Sequence, residues 1–561
     1  MEKIWLDSYS PGVPAEINPD AYQSISELID QSTQHYRDRP AFYNLGVTLS
    51  YRQVEHASRD FSAFLQQRLN LKKGDRIAIM LPNILQYPIA MFAALRAGLV
   101  VVNVNPLYTA DELAFQLENS GAVALIALTN FADTVQKALP RLPSMQHVIM
   151  TELGDLFPFF KACMTKFALK YIYKKIPDWS IPNAISFKTG LREGRHLGFN
   201  KVDIQGDDTA FLQYTGGTTG VSKGAILTHR NIIANLQQAD AWFSSLLMGG
   251  QEIIITALPL YHIFSLTANC FFFTKLGGLN VLITNPRDIP AMIKDMKKFK
   301  FTAVTGVNTL FSALLKDPQF ALLDFSNLRL SLGGGMAVQR AIAEKWQQVT
   351  GAPLLEAYGL TETSPCVTIN PANLSSYNGT IGLPVSSTDI CIMDNEGQEV
   401  PLGQAGELAI KGPQVMKGYW KNPAETSRVF TKDGWLLTGD IATVDERGYV
   451  RLLERKKDMI LVSGFNVYPN EIEDVLARHS GIKECAVIGI PDEHSGEAVK
   501  AYIVKDDPAL TTEDVIKFSR ERLTPYKVPK IVEFRSELPK TNVGKILRRA
   551  LKDEPVKVAS D

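Results

Sequence analysis

The sequence predicts an α/β fold with a large amino-terminal domain, a β-rich part within that domain, and a small carboxy-terminal α+β domain. Alternation of buried strands with helices carries the prediction. Arg76 to Leu81 has the pattern of a buried strand, Gln86 to Ala97 that of a helix, and Val100 to Val104 that of the next strand. The strand pattern returns at 122–128, 252–257, 280–283 and 302–304.

Length and composition are the second observation behind this prediction. The chain has 561 residues, which at about 150 residues per domain indicates two to four units. Hydrophobic residues make up 45% of the chain, enough for a large core and too many for a disordered protein. Lys plus Arg and Asp plus Glu number 59 each, so the balanced charge disfavours nucleic acid as a partner.

A domain boundary is predicted at the charged run that begins at Glu454. Turn signals and strand-like pieces precede it, and a compact α/β pattern follows it. That pattern has helices at 470–478 and 512–523 and strands at 484–490 and 499–504. We therefore expect a large domain over 1–454, a linker over 455–460 and a small domain over 461–561.

The cysteines and apolar runs bear on the compartment. Five widely spaced cysteines without a CxxC pair indicate a reducing environment with neither disulfides nor a zinc site. They are Cys163, Cys270, Cys366, Cys391 and Cys485. No apolar signal-peptide core follows Met1 to Asp7, and Arg96 and Lys275 interrupt the longest apolar runs. We expect a cytoplasmic protein.

The segment 156–177 has the pattern of a basic amphipathic helix. Lys166, Lys170 and Lys174 are spaced to share one helical face, with Lys161 and Lys175 nearby, and aromatic residues and Met164 occupy the neighbouring face. Such a helix can lie on an anionic membrane surface. The alternative is a surface helix whose aromatic side packs on its own domain.

The stretch from Tyr214 to Gly224 contains four glycines, four Ser or Thr hydroxyls and Lys223. Glycine lets backbone N–H groups approach an anion closely, and hydroxyls and a lysine add donors and charge. The stretch predicts a phosphate-binding loop between two strands. It is not a Walker A loop, because Ser222 precedes the lysine and Gly224 follows it. A simple glycine-rich hairpin turn is the alternative.

Seven further motifs lie along the chain, one before this loop and six after it. They are Arg96-Ala97-Gly98 to Asn105-Pro106, Leu258-Pro259-Leu260-Tyr261-His262, Tyr358-Gly359-Leu360-Thr361-Glu362, Gly406-Glu407-Leu408, Thr438-Gly439-Asp440, Glu454-Arg455-Lys456-Lys457-Asp458 and Pro539-Lys540-Thr541-Asn542-Val543-Gly544-Lys545. The loop and this ordered set resemble the adenylate-forming superfamily. Residues 257–264 and 455–469 look most like bacterial long-chain fatty acyl-CoA synthetases.

The resemblance implies a two-step reaction in which ATP adenylates a fatty acid and CoA then displaces AMP to form acyl-CoA. Mg²⁺ would be the cofactor, and ATP and CoA the co-substrates. Two enzymatic alternatives remain open, an aryl-CoA ligase and a ligase that loads a carrier protein. A silent fatty acid-binding protein is the alternative outside enzymes. The resemblance also implies a homodimer and a mobile small domain.

The resemblance also implies roles for individual residues in binding ATP. Thr361 would donate to the α-phosphate, Glu362 would hold Mg²⁺, and Tyr358 would stack on adenine beside Gly359. Asp440 would accept from the ribose hydroxyls, and Arg455 would bind ribose or phosphate. The phosphate loop would comprise Tyr214, Thr215, Gly216, Gly217, Thr218, Thr219, Gly220 and Lys223.

Catalysis and movement are assigned to the carboxy-terminal part by the same resemblance. Lys545 would bridge the carboxylate and the α-phosphate during adenylation, and Lys457 occupies the hinge position. The path of the CoA thiol would follow Ser463, Gly464 and Phe465.

The acyl pocket is the least specified part of the site. We expect the glycine-rich stretches to flank it, because glycines would leave room for a long tail. These residues are Gly306, Val307, Gly333, Gly334 and Gly335. His262 is expected to be a pocket wall, with a gate or a satisfied core histidine as the alternatives.

A peripheral position on the cytoplasmic face of the inner membrane, through 156–177, would suit an enzyme that collects fatty acids from a bilayer.

Overall fold

The computed structural model describes residues 2–215, 222–492, 494–541 and 544–553 of the chain. Four sheets organise these residues: two large sheets dominated by parallel strands, one four-stranded antiparallel sheet and one five-stranded sheet. The first three belong to the large domain and the fourth to the small domain. This arrangement confirms the predicted α/β fold with a β-rich part and a smaller carboxy-terminal domain.

The first large sheet has seven strands. In spatial order they are Ile185–Ser186, His147–Thr151, Ala124–Leu128, Arg76–Met80, Val100–Asn103, Thr209–Thr215 and Lys223–Thr228. All neighbours are parallel except the last pair, which forms an antiparallel hairpin. Because helices cover both faces, the central strands are apolar throughout. These continuous apolar runs are the pattern that predicted buried strands from the sequence.

The second large sheet has nine strands with a parallel centre and antiparallel edges. In spatial order they are Leu383–Pro384, Cys366–Ile369, Leu354–Gly359, Leu330–Gly334, Ala303–Gly306, Ile253–Thr256, Leu279–Leu282, Pro40–Asn44 and Val47–Ser50. One continuous apolar core contains residues of both large sheets, such as Ile79 and Leu332. A second core packs Phe311 and Trp346 against the other face of the nine-stranded sheet.

The remaining two sheets meet at the predicted linker. The antiparallel sheet consists of Asp389–Met393, Gly406–Lys411, Leu436–Val444 and Val450–Arg455. The small-domain sheet consists of Ile460–Val462, Phe465–Val467, Ile482–Asp492, Gly496–Lys505 and Ile531–Arg535. The antiparallel sheet thus ends at Arg455 and the next begins at Ile460, so the predicted hinge 455–460 falls at this junction.

Helices fill the layers around the sheets, and those predicted near 86–97, 470–478 and 512–523 are present at Gln86–Arg96, Pro469–Leu476 and Thr512–Arg520. The α-helices are Ile25–His35, Tyr51–Ala63, Gln86–Arg96, Ala110–Ser120, Ala132–Ala138, Phe159–Phe167, Phe187–Gly194, His229–Phe243, Ile263–Ser265, Phe272–Lys275, Ile289–Met296, Asn308–Lys316, Arg340–Thr350, Pro423–Val429, Pro469–Leu476, Thr512–Arg520 and Arg548–Lys552. The π-helical segment Leu266–Phe271 joins Ile263–Ser265 to Phe272–Lys275. Helix Gln86–Arg96 is buried throughout, which explains its nearly uninterrupted apolar sequence.

The basic segment forms a helix over Phe159–Phe167 that continues as a π-helical segment over Ala168–Ile172. The expectation that Lys174 shares the face of Lys166 and Lys170 is wrong, because the chain has left the helix there with a φ of 49°. None of the residues of either segment is buried. In the described part of the chain, no helix has the length and apolar character needed to cross a bilayer.

Candidate active site

A cavity of about 1390 Å³ lies between the two domains and extends into the large domain. Its polar part is lined by charged residues of both domains, and its deeper part by apolar residues of the large domain. The carboxyl ends of strands Leu330–Gly334 and Leu354–Gly359 open into the polar part. Ligands of open α/β sheets bind in crevices at such strand ends.

The predicted phosphate loop connects strands Thr209–Thr215 and Lys223–Thr228, whose end residues Thr215 and Lys223 pair across the hairpin. Gly216, Gly217, Thr218, Thr219 and Gly220 lie outside the described residues. The Lys223 ammonium forms an ion pair with Glu425 and lies 5.4 Å from the centre of the Tyr419 ring. The hydrogen bond from Lys223 lowers the pKa of the Glu425 carboxyl, so this carboxylate is charged at neutral pH.

Glu362 lies in the short turn Thr361–Thr363, directly after strand Leu354–Gly359. The Tyr419 hydroxyl donates to its Oε1 at 2.7 Å. Gly359 is required at the start of this turn, because a Cβ there would lie 1.9 Å from the Pro365 carbonyl oxygen. Thr361 and Glu362 both line the cavity, and one carboxylate there fits Mg²⁺, which commonly takes its other oxygens from phosphates and water.

Tyr358, Asp440 and Arg455 form a linked group at the wall of the cavity. The buried Tyr358 hydroxyl donates to Asp440 Oδ2. Arg455 Nε lies 2.6 Å from Asp440 Oδ1, but this atom has no well-angled hydrogen bond within the described residues. Burial raises the pKa of Asp440. A buried acceptor without a full hydrogen bond suits a pair of ribose hydroxyls.

Lys545 extends from the small domain into the same polar part of the cavity. Its approach depends on Gly335, whose φ is 79° and whose added Cβ would lie 3.3 Å from Lys545 Cε. The carbonyl of Gly544 accepts from Thr309 of the large domain at 3.3 Å. Burial and Arg455 lower the pKa of the Lys545 amine to about 8, although Asp440 and Glu362 favour its charged form.

His262 lines the cavity. Its Nδ1 accepts a hydrogen bond from the Phe264 N–H at 3.3 Å and so caps helix Ile263–Ser265. Burial and the nearby Lys545 lower the pKa of His262 to about 3, so the imidazole is neutral at physiological pH. Its place agrees with the predicted pocket wall. Beyond it, the apolar chamber is lined by Ala239, Phe243, Ala268, Phe272, Leu330, Leu332 and Ile369.

Two family models match this chain. A model described as AMP-binding enzyme matches residues 29–420, and one described as AMP-binding enzyme C-terminal domain matches residues 471–545. The chain belongs to the AMP-binding enzyme family. This assignment confirms the predicted membership of the adenylate-forming superfamily, and it matches the two-domain architecture.

Individual relatives agree with the family models. The long-chain-fatty-acid–CoA ligase of Yersinia pestis is 58% identical over 560 residues and covers 100% of this chain and 99% of that protein. The anthranilate CoA ligase AuaEII in complex with anthranoyl-AMP has the same fold, with a TM-score of 0.84, 23% identity and coverage of 95% and 98%. The o-succinylbenzoate CoA synthetase of Bacillus subtilis, in complex with its acyl-adenylate intermediate, has a TM-score of 0.74, 27% identity and coverage of 94% and 98%.

The glycines expected to flank the acyl pocket of this family member divide between two faces of the sheet. Added Cβ atoms at Gly306 and Gly333 would contact Phe311 and Val338, so these two glycines face the second core and the prediction for them is wrong. Gly334 and Gly335 line the cavity. Val307 lies in the second core, with its side chain near Gly335 and Gly544.

The residues expected on the CoA path lie apart from the polar site. Ser463 and Gly464 form the turn of a hairpin, with φ values of 50° and 83°. Phe465 is exposed and its ring stacks on Tyr526 at 4.8 Å between centroids. Lys457 does line the cavity, and burial lowers its pKa. The structure therefore does not bring the predicted CoA path to the reacting centre in this orientation.

Sequence reasoning missed two residues that contact the predicted site. Tyr419 binds Glu362, and Glu425 pairs with Lys223. Both belong to the stretch from Gly418 to Val429, where an aromatic pair and an asparagine precede a short helix that begins at Pro423. An aromatic pair in a turn-rich segment was a usable signal, but nothing in its spacing indicated which residues it would contact.

The lowered pKa of Lys545 can be measured directly. We expect the rate at which an amine-reactive ester modifies Lys545 to reach half its maximum near pH 8, against 10.5 for an ordinary lysine. Because Asp440 favours the charged amine, Asp440→Asn should move the midpoint below that of the protein without this substitution. Peptide mass spectrometry across pH gives both midpoints. A midpoint near pH 10.5 for modification of Lys545 in the protein without substitutions would contradict the burial of this amine.

Proposed function

We propose that this chain is an ATP-dependent long-chain fatty acid–CoA ligase that acts through an acyl-adenylate. In the first step the carboxylate oxygen attacks the α-phosphorus of ATP, and the bond to pyrophosphate breaks. In the second step the CoA thiolate attacks the acyl carbon and AMP leaves. The observation that carries the proposal is one continuous cavity that joins a polar site, lined by Lys223, Arg455 and Lys545, to an apolar chamber.

The relatives support the same reaction. The Yersinia pestis protein, named a long-chain-fatty-acid–CoA ligase, matches this chain along its whole length at 58% identity. The Bacillus subtilis synthetase was captured with its acyl-adenylate intermediate on the same fold. A silent binding protein would need no set of charged residues at the nucleotide end, so the retained Lys223, Asp440, Arg455 and Lys545 argue for an enzyme.

We propose roles for the polar residues of the site. Thr361 donates to the α-phosphate, and Lys223 offsets charge on the outgoing phosphates at the hairpin end. Lys545 holds the carboxylate against the α-phosphorus, where its ammonium stabilises the charge that develops. Tyr358 and Asp440 hold the adenosine. Mg²⁺, when held by Glu362, would supply further neutralisation of phosphate charge.

The acyl chamber gives the proposal its substrate class. Helix His229–Phe243 contributes Asn235, Ala239 and Phe243 at intervals of four residues, so its lining face runs inward for roughly 12 Å at 1.5 Å per residue. Phe272 faces Phe243 at the deep end, with ring centroids 6.4 Å apart. An apolar lining of this length suits an extended alkyl chain better than a compact aromatic acid.

A product assay with a narrowed chamber tests the proposal. The enzyme receives ATP, Mg²⁺, CoA and a mixture of benzoate, octanoate, palmitate and oleate, and mass spectrometry identifies the products. We expect palmitoyl-CoA, oleoyl-CoA and AMP. Ala268→Phe and Ala239→Phe extend into the chamber from different helices, so each should lower kcat/KM for palmitate roughly tenfold or more while sparing octanoate.

Three results would contradict this assignment. An acyl-adenylate that persists despite CoA would indicate a ligase that loads a carrier protein instead. Benzoyl-CoA as the main product would indicate an aryl-CoA ligase. Equal losses for octanoate and palmitate in both variants would place the alkyl chain elsewhere, provided that thermal unfolding shows both variants folded.

Two orientations of the small domain complete the proposed mechanism. Lys545 reaches the polar site in the orientation seen here, whereas Ser463, Gly464 and Phe465 do not. A rotation about Lys457 would withdraw the lysine and bring this hairpin toward the adenylate, where Gly464 leaves room for a pantetheine arm.

The two half-reactions should separate in variants of the hinge and the lysine. Lys457→Pro restricts φ at the hinge, so it should spare pyrophosphate exchange and strongly reduce thioester formation from supplied acyl-AMP. Lys545→Ala should do the reverse. Lys456→Ala, beside the hinge, is the matched control and should leave both within about twofold because it removes only a surface ion pair to Glu407. Equal damage to both half-reactions in both test variants would reject the two orientations.

We include in the proposal a peripheral membrane contact through the helix that begins at Phe159. Phe159, Phe160, Met164 and Phe167 are all more than half exposed, with Phe160 at 82%, so the aromatic face does not pack on its own domain. Exposed apolar clusters of this kind mark interaction surfaces. Lysines flank the face, and no ion pair is recorded among the described residues for Lys170, Lys174 and Lys175. We place the protein on the cytoplasmic face of the inner membrane.

Vesicle binding tests the contact. Phe160→Ser with Met164→Ser should abolish most binding to vesicles of phosphatidylglycerol and phosphatidylcholine, because the apolar face supplies insertion. Replacing Lys170, Lys174 and Lys175 by Gln should cost about 3 kcal/mol, at roughly 1 kcal/mol per lysine, only on the anionic vesicles. Leu322→Ser, at a distant residue that is 72% exposed, is the matched control. Unchanged sedimentation in both sets would remove this helix from the proposal.

The family resemblance also implies a homodimer, which we retain in the proposal. A solution mass near twice the 62.1 kDa of one chain distinguishes it from a monomer.

A further inference from the structure

Arg548 joins three side chains at the boundary between the two domains. It begins helix Arg548–Lys552, three residues after Lys545. One terminal nitrogen donates to Glu454 Oε1 at 2.8 Å, and the other donates to Glu473 Oε2 at 2.8 Å and to Asn470 Oδ1 at 2.6 Å. Its Nε lies 3.3 Å from Glu473 Oε1. Glu473 and Asn470 belong to the small domain, whereas Glu454 ends the large one.

Glu454 is a buried carboxylate whose partners come mainly from across this boundary. It is 1% exposed, on the last strand before the linker. It accepts from the Arg455 N–H at 2.9 Å, the Asn470 N–H at 3.0 Å and Arg548. The side-chain amide of Asn470 also donates to the Leu453 carbonyl at 3.2 Å. The start of helix Pro469–Leu476 and Arg548 therefore cover the carboxylate together.

A buried carboxylate of this kind depends on its cation. Burial raises the pKa of Glu454 to about 7, against the lowering effect of Arg548. Removing the cation would leave the charge buried without its main partner, which is strongly unfavourable. Rotation of the small domain about Lys457 would instead expose Glu454 to water, where the charge needs no such partner. Removal of Arg548 alone should therefore disfavour the orientation seen here relative to a rotated one.

We infer that Arg548 and Glu454 form an interdomain clamp that positions Lys545 for adenylation and opens before thioester formation. The inference rests on the roles proposed above for Lys545 and Lys457. Arg548 and Lys545 are linked by three peptide units, so fixing one guanidinium limits where the lysine can reach. Arg548 and Glu454 are positioning residues in this account, because neither contacts the reacting atoms.

Loss of the bond between Arg548 and Glu454 should have a different effect from loss of the bonds between Arg548 and Glu473. Arg548 and Glu473 would move together with the small domain, so their bonds persist in either orientation. The bond to Glu454 exists only while the domains are arranged as here. A defect confined to the Glu454 side should therefore change the balance between orientations, whereas a defect on the Glu473 side should weaken the small domain itself.

The test measures the half-reactions separately in Arg548→Ala and Glu454→Gln. We expect pyrophosphate exchange to fall on the order of tenfold or more, while thioester formation from supplied palmitoyl-AMP and CoA stays within about twofold or rises. The double variant should lose little more than either single variant, because both remove the same contact. Arg549→Ala is the matched control: its side chain is 57% exposed and pairs with Asp553 at 3.3 Å, on the same helix.

The outcomes separate a positioning role from a structural one. Equal losses in both half-reactions for Arg548→Ala and Glu454→Gln, with a lowered midpoint of thermal unfolding, would overturn the clamp. Unchanged exchange in both variants would overturn it as well. Lys545→Ala is assayed alongside: if it retains pyrophosphate exchange, the proposed role of that lysine fails, and if only it loses exchange, the clamp alone fails.

Discussion

The arrangement of charge around Lys545 is the constraint on which the rest of this structure depends. An amine, a guanidinium and two carboxylates share one cavity, and burial and Arg455 lower the pKa of the amine while the carboxylates of Asp440 and Glu362 favour its charge. Such a group is costly to build in a dry interior, because each charge must be balanced locally. In the proposed reaction, the phosphates of ATP would bring further negative charge to the amine and the guanidinium. The domains meet where this balance is needed.

The two large sheets explain how so many short motifs reach one place. Strands Leu330–Gly334 and Leu354–Gly359 are parallel neighbours, so their carboxyl ends deliver Gly335 and Thr361 to the same edge. The hairpin that ends at Thr215 and Lys223 approaches from the other large sheet. Motifs separated by more than a hundred residues in the sequence thus converge because parallel strands place their ends together, and loops are the parts that remain free to carry chemistry.

The sequence predicted the elements of this fold well and the contacts between them less well. Buried strands such as Arg76–Met80 were recognisable because both faces are covered, and ordered motifs located Lys545 and Asp440. Gly306 and Gly333 were misplaced because the side chains of a strand alternate between faces, and composition does not say which face a glycine serves. Tyr419, Glu425 and Arg548 were missed because their partners are distant in sequence, and only the assembled domains bring them together.

The division of the cavity between the domains has a consequence for the order of the reaction. Ala239, Phe243, Phe272 and Leu330 of the apolar chamber all belong to the large domain, whereas Lys545 and Arg548 belong to the small one. Rotation of the small domain would therefore exchange the polar groups around the acyl carbon without disturbing the chamber that holds the alkyl tail. The burial of a long tail, worth about 0.8 kcal/mol per CH₂ group, would keep the adenylate in place during that exchange. A chamber built by both domains would have to release its ligand at the moment when CoA must enter.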